Sequence, residues 1–477
     1  MPRPLFPLIG ACAVVLGPLV LGACSVGPAY EKPQASATPL PAEFKALDGW
    51  RPAAPADLAD RGDWWTLLGD PQLNALAARI DVSNQTVAKA EANYRQARAL
   101  VREQRASLFP AIDLSGSATR AGGSGSANSS SASGTGRRYQ ASLGASWEPD
   151  VWGRIRAGVS GARASAEASQ ADLAAARLSM QGELAVNYLG LRQADAEIDL
   201  VNRTIEGYRR SLTITQNRYA AAIAPRSDVL QAQTQLANAQ ADLESLVQTR
   251  AAYENAIATL VGEPASGFRL AAVPNWSSTV PEIPAGVPST LLERRPDIAA
   301  AERRVAAANA DIGVARAAFF PSFDLTASGN SSSSRLGDLF SASANTWSLG
   351  LSAAQTLFDA GARKARVEEA RASYDASVAD YRQTALSAFE DVENQLTAVR
   401  VLERRYALLE TSSRAADQTE QMILNQYKAG QVAYTDVVTA QASAFSARRA
   451  LLSARVSRQT AAVALVQALG GGWKGLG

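Results

Sequence analysis

The segment Ser107–Arg120 reads SLFPAIDLSGSATR, and after its proline apolar and polar residues alternate one by one. An alternation of period two predicts a β-strand with one apolar and one polar face. The same pattern recurs at Tyr139–Trp147, Phe323–Ser328 and Trp347–Ala353. Each predicted strand is about ten residues long, and a tilted strand of that length crosses the hydrocarbon layer of a membrane.

Four such strands need partners. A strand in lipid must have every backbone group paired, so an open four-stranded sheet cannot exist there, and a barrel needs about eight strands. Two copies of the chain give eight strands around a packed interior. Three copies give twelve, and the polar face, which includes Asp113 and Asp324, then lines a water-filled lumen. The alternative is a soluble sheet that packs one face on a core.

Composition excludes several classes of protein. The 477 residues carry a formal net charge of +2, so no basic surface argues for nucleic acid. The chain has no histidine, and its two cysteines, Cys12 and Cys24, lie at the N-terminus. Without histidine, a reactive thiol, a glycine-rich phosphate loop or a carboxylate cluster, the sequence predicts no enzyme, no metal site and no cofactor.

The N-terminus is typical of an export signal. Arg3 precedes a short apolar run that is interrupted by Pro18, and Leu21–Cys24 reads LGAC. This ending resembles the lipobox of bacterial lipoproteins, which implies removal of residues 1–23 and diacylation of Cys24 as the new N-terminus. The residue that follows is Ser25, which by the same resemblance implies sorting to the outer membrane.

The rest of the chain is a tandem duplication. ASLFPAIDLSGS from Ala106 matches AAFFPSFDLTAS from Ala317, and NRYAAAIAPRSDVLQAQ from Asn217 matches NQYKAGQVAYTDVVTAQ from Asn425. Within each half the predicted order is helix, strand, polar loop, strand, long helix, tight turn and helix. Because the period is too long for a solenoid, each half must be a whole structural unit.

The long helices are predicted from proline spacing and apolar periodicity. No proline occurs at 150–224 or after Pro321. Apolar residues step by three and four along both long segments, as at Tyr381, Ala385, Val392 and Leu396. This heptad-type seam predicts left-handed supercoiling of helices of roughly 65 residues, about 100 Å long. Standing alone, such helices would also fit a soluble coiled coil.

These residues together resemble a known family. Leu291–Ser328, LLERRPDIAAAERRVAAANADIGVARAAFFPSFDLTAS, resembles the signature of the TolC-type outer membrane efflux factors. Gly62–Leu76, GDWWTLLGDPQLNAL, is similar to the first segment of their lipoprotein branch, the OprM/NodT-like proteins. The resemblance covers essentially the whole mature chain.

The resemblance implies a mixed α+β membrane protein that is mostly α. Three copies form a homotrimer with a twelve-stranded barrel in outer membrane lipid and a twelve-helix tunnel in the periplasm. The implied partners are a periplasmic adaptor and an inner membrane RND-type pump, and the channel conducts drugs or other small molecules passively to the exterior.

On this basis the chain is divided into ten parts. The first repeat and what precedes it comprise the signal peptide (1–23), an extended lipid-anchored tether (24–61), the initial segment with the first periplasmic helix (62–109), the first barrel hairpin with its extracellular loop (110–148) and the first-repeat periplasmic helices (149–263). A proline-rich equatorial connector (264–295) follows. The second repeat comprises its first helix (296–320), the second barrel hairpin with its extracellular loop (321–357) and the second-repeat periplasmic helices (358–469), and the C-terminal tail (470–477) ends the chain. Trp64 and Trp65 are expected to be packing anchors.

The far end of the tunnel must close at rest, and the helix-turn-helix tips are the expected gate. The resemblance implies that Asp228 and Asp436 constrict the opening, where carboxylate rings favour cations, and that Tyr427 takes part in the closed lock. Both aspartates also fit N-terminal capping of the following helix, and the two roles can coexist. The arginine that the resemblance predicts at position 432 is Val432, and Arg226 is a candidate substitute.

Two other functions stay open at this point. One is an exit duct for type I protein secretion. The other is a lipid-anchored coiled-coil scaffold or adhesin without a pore. Ion conductance in planar bilayers and heat-modifiable migration distinguish a channel from the scaffold.

Overall fold

A computed structural model describes residues 26–36, 44, 45, 63–122, 136–274, 276, 280 and 294–471 of the chain. The predicted signal peptide, Cys24, most of the tether and most of the first loop lie outside the described residues. Seven α-helices and four β-strands are described. The helices are α1 Pro71–Ser83, α2 Gln85–Ala106, α3 Arg154–Ala220, α4 Arg226–Leu260, α5 Pro296–Ala317, α6 Ala362–Lys428 and α7 Tyr434–Ala468, and the strands are β1 Ala111–Ala121, β2 Gly136–Trp147, β3 Ser322–Ser333 and β4 Asn345–Ala354.

The duplication is visible in the lengths of the helices. The long helices α3 and α6 each have 67 residues, α4 and α7 each have 35, and α2 and α5 each have 22. The ends of the shorter helices are also held alike. Asn84 Nδ2 donates to Leu260 O at the end of α4 (2.7 Å), and Arg295 Nη1 donates to Ala468 O at the end of α7 (3.1 Å). The predicted fold class, mostly helical with four strands in two repeats, is therefore confirmed.

The strands form one antiparallel sheet in the order β1-β2-β3-β4, and the contact between β2 and β3 joins the two repeats. The register pairs polar residues with polar residues. Ser115 Oγ lies 2.6 Å from Ser142 Oγ, and Ser328 Oγ lies 2.9 Å from Ser348 Oγ. The alternation read from the sequence therefore produces the two chemically different faces that were predicted.

The apolar face of this sheet is exposed in the single chain. The exposed fractions are 80% for Leu114, 84% for Trp347 and 70% for Leu351. The outer strands β1 and β4 each pair with one neighbour among the described residues. Exposed large apolar patches and open strand edges both call for a covering partner.

By contacts, the chain separates into two units. One comprises residues 1–32, 97–166 and 304–378 and includes all four strands. The other comprises residues 33–96, 167–303 and 379–477, and it contains the main apolar cluster. In that second unit the seam positions Tyr188, Tyr381 and Leu396 are almost fully buried, as the periodicity predicts.

The predicted packing role of the two N-terminal tryptophans agrees with their burial. Trp64 and Trp65 are 2% and 5% exposed, and their rings meet edge to face with centroids 6.0 Å apart. They belong to the apolar cluster of the second unit. Their burial makes them anchors of the core.

A buried ionic network holds the connector after α4 against the helices. Arg192 on α3 is fully buried, and its Nη1 donates to Asp195 Oδ2 (2.7 Å) and to Ala271 O (2.8 Å). Asp195 also accepts from Arg250 Nε on α4 (2.6 Å) and from Val273 N (3.1 Å). These opposite charges and backbone partners offset part of the cost of burying the ions.

Asp70 gives the start of α1 a similar support. Its carboxylate caps α1 by accepting from Gln72 N (2.9 Å) and Leu73 N (3.2 Å), and it also accepts from Tyr188 Oη and Trp276 Nε1, both at 2.8 Å. Burial by itself raises the pKa of Asp70, but these four hydrogen bonds outweigh burial and lower the pKa below its usual value.

In the part of the chain that the structure describes, no helix combines the length and the apolar character that a membrane span requires. No grouping of three or more His, Cys, Asp or Glu side chains suited to a metal ion occurs among those residues either.

Candidate functional site

The two helix-turn-helix tips of the second unit have the same backbone. At the first tip Ala222 has a φ of 55°, and at the second Gly430 has a φ of 76°. Ile223 N donates to Arg218 O (2.8 Å), and the equivalent Gln431 N donates to Gln426 O (2.9 Å). A left-handed residue followed by such a bond is a common way to end a helix, and glycine adopts it without strain. The tight turn predicted between the last two helices of each half is therefore present at both tips.

Tyr427 lies at the centre of a buried cluster between the tips. It is 3% exposed, and its ring lies 5.3 Å from the ring of Tyr434. Ala232 on α4 and Val437 on α7 are buried against the pair. The cluster therefore joins the end of α6, the start of α7 and the start of α4.

Arg218, in the last turn of α3, clamps this cluster from the other repeat. Its guanidinium carbon lies 4.8 Å from the centre of the Tyr427 ring, and Nη1 donates to Tyr427 O at 3.1 Å. A cation over an aromatic face and a charged hydrogen bond to a carbonyl both favour this arrangement. Arg218 therefore links α3 to α6 at the turns.

Several polar atoms of the cluster have no partner. The hydroxyl groups of Tyr427 and Tyr434 and the Nε of Arg218 are buried without a hydrogen bond within the described residues. A buried unpaired polar group costs about 1–3 kcal/mol, so native structures usually avoid it. Such atoms accumulate where strain or function requires them.

The two predicted gate aspartates occupy equivalent positions, three residues after the residue that precedes each helix, but they differ in bonding. Asp436 is exposed, and its Oδ2 accepts from Ala433 N at 3.2 Å. At the first tip Pro225 takes the place of Ala433, and proline has no N–H to donate. Within the described chain the half-buried Asp228 carboxylate accepts no hydrogen bond. The capping geometry is thus present at Asp436 and absent at Asp228.

Asp228 instead acts on the tyrosines through its charge. Burial is the main reason that the pKa of Tyr427 is raised, and the Asp228 carboxylate raises it further while Arg218 lowers it. Burial, followed by Tyr427 and Asp228, raises the pKa of Tyr434 to about 12. Both phenols are therefore neutral at physiological pH.

The other predicted residues are not part of this cluster. Arg226 is exposed at the first position of α4 and makes no side-chain hydrogen bond or ion pair among the described residues, whereas Val432 packs against the cluster. Asp113 and Asp324 belong to the other unit and are exposed on the polar face of the sheet, opposite Gly144 and Ser352. Sequence reasoning missed Arg218.

Comparisons with known proteins agree with the architecture. The family model described as outer membrane efflux protein matches residues 74–263 and 287–471, one match in each repeat. The toluene efflux pump outer membrane protein TtgC of Pseudomonas putida is 32% identical over 456 residues, which are 95% of this chain and 94% of that protein.

Two solved structures are similar over nearly the whole chain. The outer-membrane channel OprN has a TM-score of 0.87 at 30% identity and is matched over 94% of this chain and 100% of its own. The open state of the outer membrane channel MtrE of Neisseria gonorrhoeae has a TM-score of 0.83 at 31% identity over 94% and 99%. With its family model, its relative and its fold in agreement, the chain belongs to the outer membrane efflux protein family and is an outer membrane channel.

Proposed function

We propose that this channel is the exit duct of a tripartite efflux system, in which a periplasmic adaptor and an inner membrane RND-type pump deliver drugs or other small molecules to it. Three copies complete a twelve-stranded barrel. The observation that carries the proposal is the four-stranded sheet with open edges at β1 and β4 and an exposed apolar face. In lipid, only closure with further copies satisfies those edges.

The polar face of the sheet then lines the lumen of the barrel. Asp113 and Asp324 lie on this face among serine and glycine partners, so water and polar solutes meet carboxylates there. Twelve strands leave room for an aqueous channel, which eight strands do not.

The tips of the helices form the gate at the periplasmic end. Asp228 and Asp436 give each copy two carboxylates at the mouth, and a ring of carboxylates favours cations. Asp436 also caps α7, so the hydrogen bond from Ala433 N compensates part of its negative charge. Asp228 has no such bond and contributes its full charge to the mouth.

Arg218 acts as the latch of this gate. It holds Tyr427 by its backbone oxygen and by its ring, and so it ties the tip of the second repeat to the first. It takes this role because Val432 carries no charge, and because the exposed Arg226 makes no side-chain hydrogen bond or ion pair among the described residues. Opening separates the tips and breaks the contact between Arg218 and Tyr427.

Cys24 carries the lipid anchor, and the nine divisions from the tether at 24–61 to the C-terminal tail at 470–477 make up the mature chain. Residues 1–23 are removed on export. The barrel inserts by its own apolar surface, so the acyl chains at Cys24 add to its anchoring.

The gate is tested by Asp228→Asn and Asp436→Asn, singly and together, in planar bilayers. Asn keeps the shape of the side chain and an oxygen that can cap a helix, and it removes only the charge. We expect the double variant to show a lower cation preference and a higher conductance, with Asp228→Asn giving the larger share. Asp242→Asn, which removes an exposed charge farther along α4, is the matched control and should match the wild type.

Two outcomes would contradict the proposal. Unchanged selectivity in the double variant would leave Asp436 a capping role only and would remove Asp228 from the gate. No conductance from the wild-type protein would favour the lipid-anchored scaffold without a pore.

A further inference from the structure

The end of the sheet that lies away from the helices carries positive charge without a partner. Arg120, near the end of β1, lies directly opposite Arg137, near the start of β2. Both side chains are exposed, and neither makes a side-chain hydrogen bond or an ion pair with the residues that the structure describes. Like charges that face one another across two strands destabilise a sheet, so this pair calls for a compensating anion.

A third arginine extends the pair into a row. The register of β2 and β3 pairs Tyr139 with Ser333. Carried two residues further, it sets Arg137 opposite Arg335, whose backbone is extended with a φ of −122° and a ψ of 137°. Arg335 is also exposed, and its side chain forms no ion pair in the described part of the chain. The row therefore crosses three neighbouring strands.

The sequence supplies few carboxylates to this part of the sheet. From Ser115 to Trp147 and from Leu325 to Ala354 there are four arginines and one acidic residue, Asp338. The Asp338 carboxylate forms no ion pair within the described ranges. The excess of positive charge at this end is therefore not balanced by the chain itself.

Arginines beside the opposite, helix-side end of the sheet are paired instead. Arg154 Nη2 lies 2.6 Å from Glu148 Oε2, and Arg363 Nε lies 2.6 Å from Asp359 Oδ2. The two ends of one sheet thus treat the same side chain differently. Only the end away from the helices leaves arginines that need a partner from outside the protein.

This end reaches the headgroups of the outer leaflet. The helices of an outer membrane channel of this family extend into the periplasm, so the strand ends away from them face the cell exterior. By alternation Arg137 shares the apolar face with Tyr139, and a step of two residues along a strand is about 7 Å. Tyrosine is enriched at the level where lipid tails meet headgroups, and a long arginine side chain extends beyond that level into the headgroups.

We propose that Arg120, Arg137 and Arg335 form a site for the phosphate groups of the phosphorylated glycolipid in the outer leaflet. Residues directly opposite one another across two strands have Cβ atoms about 5 Å apart, so two guanidinium groups can bind one phosphate. Each guanidinium offers phosphate two parallel hydrogen bonds. The bound anion removes the repulsion within the row. This inference rests on the barrel of the proposed function and adds the lipid that its outer rim recognises.

The test is native mass spectrometry of the purified full-length protein in detergent. The probes are lipid A with both phosphates, lipid A with both phosphates removed, and the phosphorylated form in competition with inorganic phosphate at the same concentration. The test variant is Arg120→Gln with Arg137→Gln. The matched control is Arg102→Gln with Arg105→Gln, which removes two exposed arginines from α2. Arg120→Lys with Arg137→Lys keeps the charge but lacks the planar group.

We expect the wild type and the α2 control to bind phosphorylated lipid A equally, and the glutamine pair to bind it about twenty-five-fold more weakly. One arginine near an anionic lipid surface contributes a factor of about five, and two are removed. The lysine pair should lie between them. Lipid A without phosphates should bind to all four proteins alike, and inorganic phosphate should not displace the phosphorylated form.

Equal affinity of the wild type and the glutamine pair for phosphorylated lipid A would overturn the site. An equal loss in the α2 control would overturn it too, because net charge alone would then explain the binding. Displacement by inorganic phosphate would overturn the assignment to a lipid. Conductance of the same preparations in planar bilayers reports the channel separately, so a failed site and a failed channel give different results.

Discussion

Replacing Arg218 with alanine should open the channel, whereas replacing Arg226 should not. Both substitutions remove one positive charge at the same helix-turn-helix tip, so their effects on the electric field at the mouth are similar. Of these two arginines, Arg218 is the one that contacts Tyr427, with a 3.1 Å hydrogen bond to its carbonyl and a 4.8 Å approach to its ring. The difference between the two variants therefore isolates the contact.

The size of the effect follows from these two contacts. A hydrogen bond from a charged donor contributes at least about 1.5 kcal/mol, and a cation over an aromatic ring contributes at least about 0.5 kcal/mol. Together they stabilise the closed tip by about 2 kcal/mol in each copy. Since about 1.4 kcal/mol is a factor of ten, Arg218→Ala should shift the ratio of closed to open tips about thirty-fold toward the open state.

Single-channel recording in planar bilayers measures this shift as open probability. We expect a large increase for Arg218→Ala, a smaller one for Arg218→Lys, which keeps the charge but lacks the planar group, and none for Arg226→Ala. Equal open probabilities for Arg218→Ala and Arg226→Ala would refute the latch. That outcome would leave the aspartate ring intact, because selectivity is measured separately.

Two more predictions concern stability. Tyr434 has a pKa of about 12 in the folded chain, against about 10 when unfolded, so the unfolded state releases its proton first and the free energy of unfolding should fall between pH ~10 and pH ~12. In thermal melts over that window, the melting temperature of Tyr434→Phe should fall less with rising pH than that of the wild type. Tyr219→Phe, at an exposed position, should behave like the wild type. An identical pH dependence in all three proteins would contradict the burial argument. Arg192→Met should lower stability by about 3 kcal/mol because it takes one of two cationic partners from the buried Asp195 carboxylate, whereas Arg209→Met should change it by less than about 1 kcal/mol. Both arginines form ion pairs at a spacing of three residues on α3, with side chains 0% and 54% exposed, so equal melting temperatures for the two variants would show that burial does not decide the cost.

Local pattern was sufficient for most of the fold. Alternation of period two identified all four strands and assigned their faces, because the pleat of a strand leaves each residue only one side. The structure extends β3 to Ser333, five residues past the alternation seen in the sequence. Those residues are mostly serine, so their strand conformation depends on pairing with β2, which periodicity does not reveal.

The candidate site was only partly accessible from the sequence. The resemblance to the family gave the gate role of Asp228, Asp436 and Tyr427, and glycine and proline marked the turns at which these residues could be placed. Arg218 could not, since it acts on a residue 209 positions away and nothing beside it in the sequence indicates a partner. The Arg192 network was missed for a similar reason, because a charge inside an apolar seam indicates burial only when its partners on other segments are known.

The two tips of the duplicated chain share one backbone but carry different side chains at equivalent positions. The two turns share one backbone, yet Tyr219 is 48% exposed, while its equivalent, Tyr427, is 3% exposed. The equivalent of Arg218 is the uncharged Gln426, which cannot hold Tyr219 with a charge. The first repeat therefore holds the second through Arg218 and Tyr427, and the equivalent pair, Gln426 and Tyr219, has no charged group to make the reverse contact. In the proposed ring of copies the repeats alternate, so the proposed latch at Arg218 acts within each copy, and other contacts act between copies. In the proposed gate the two carboxylates therefore have different settings, because Asp436 accepts a bond from Ala433 N at the start of its own helix, whereas Asp228 accepts none among the described residues.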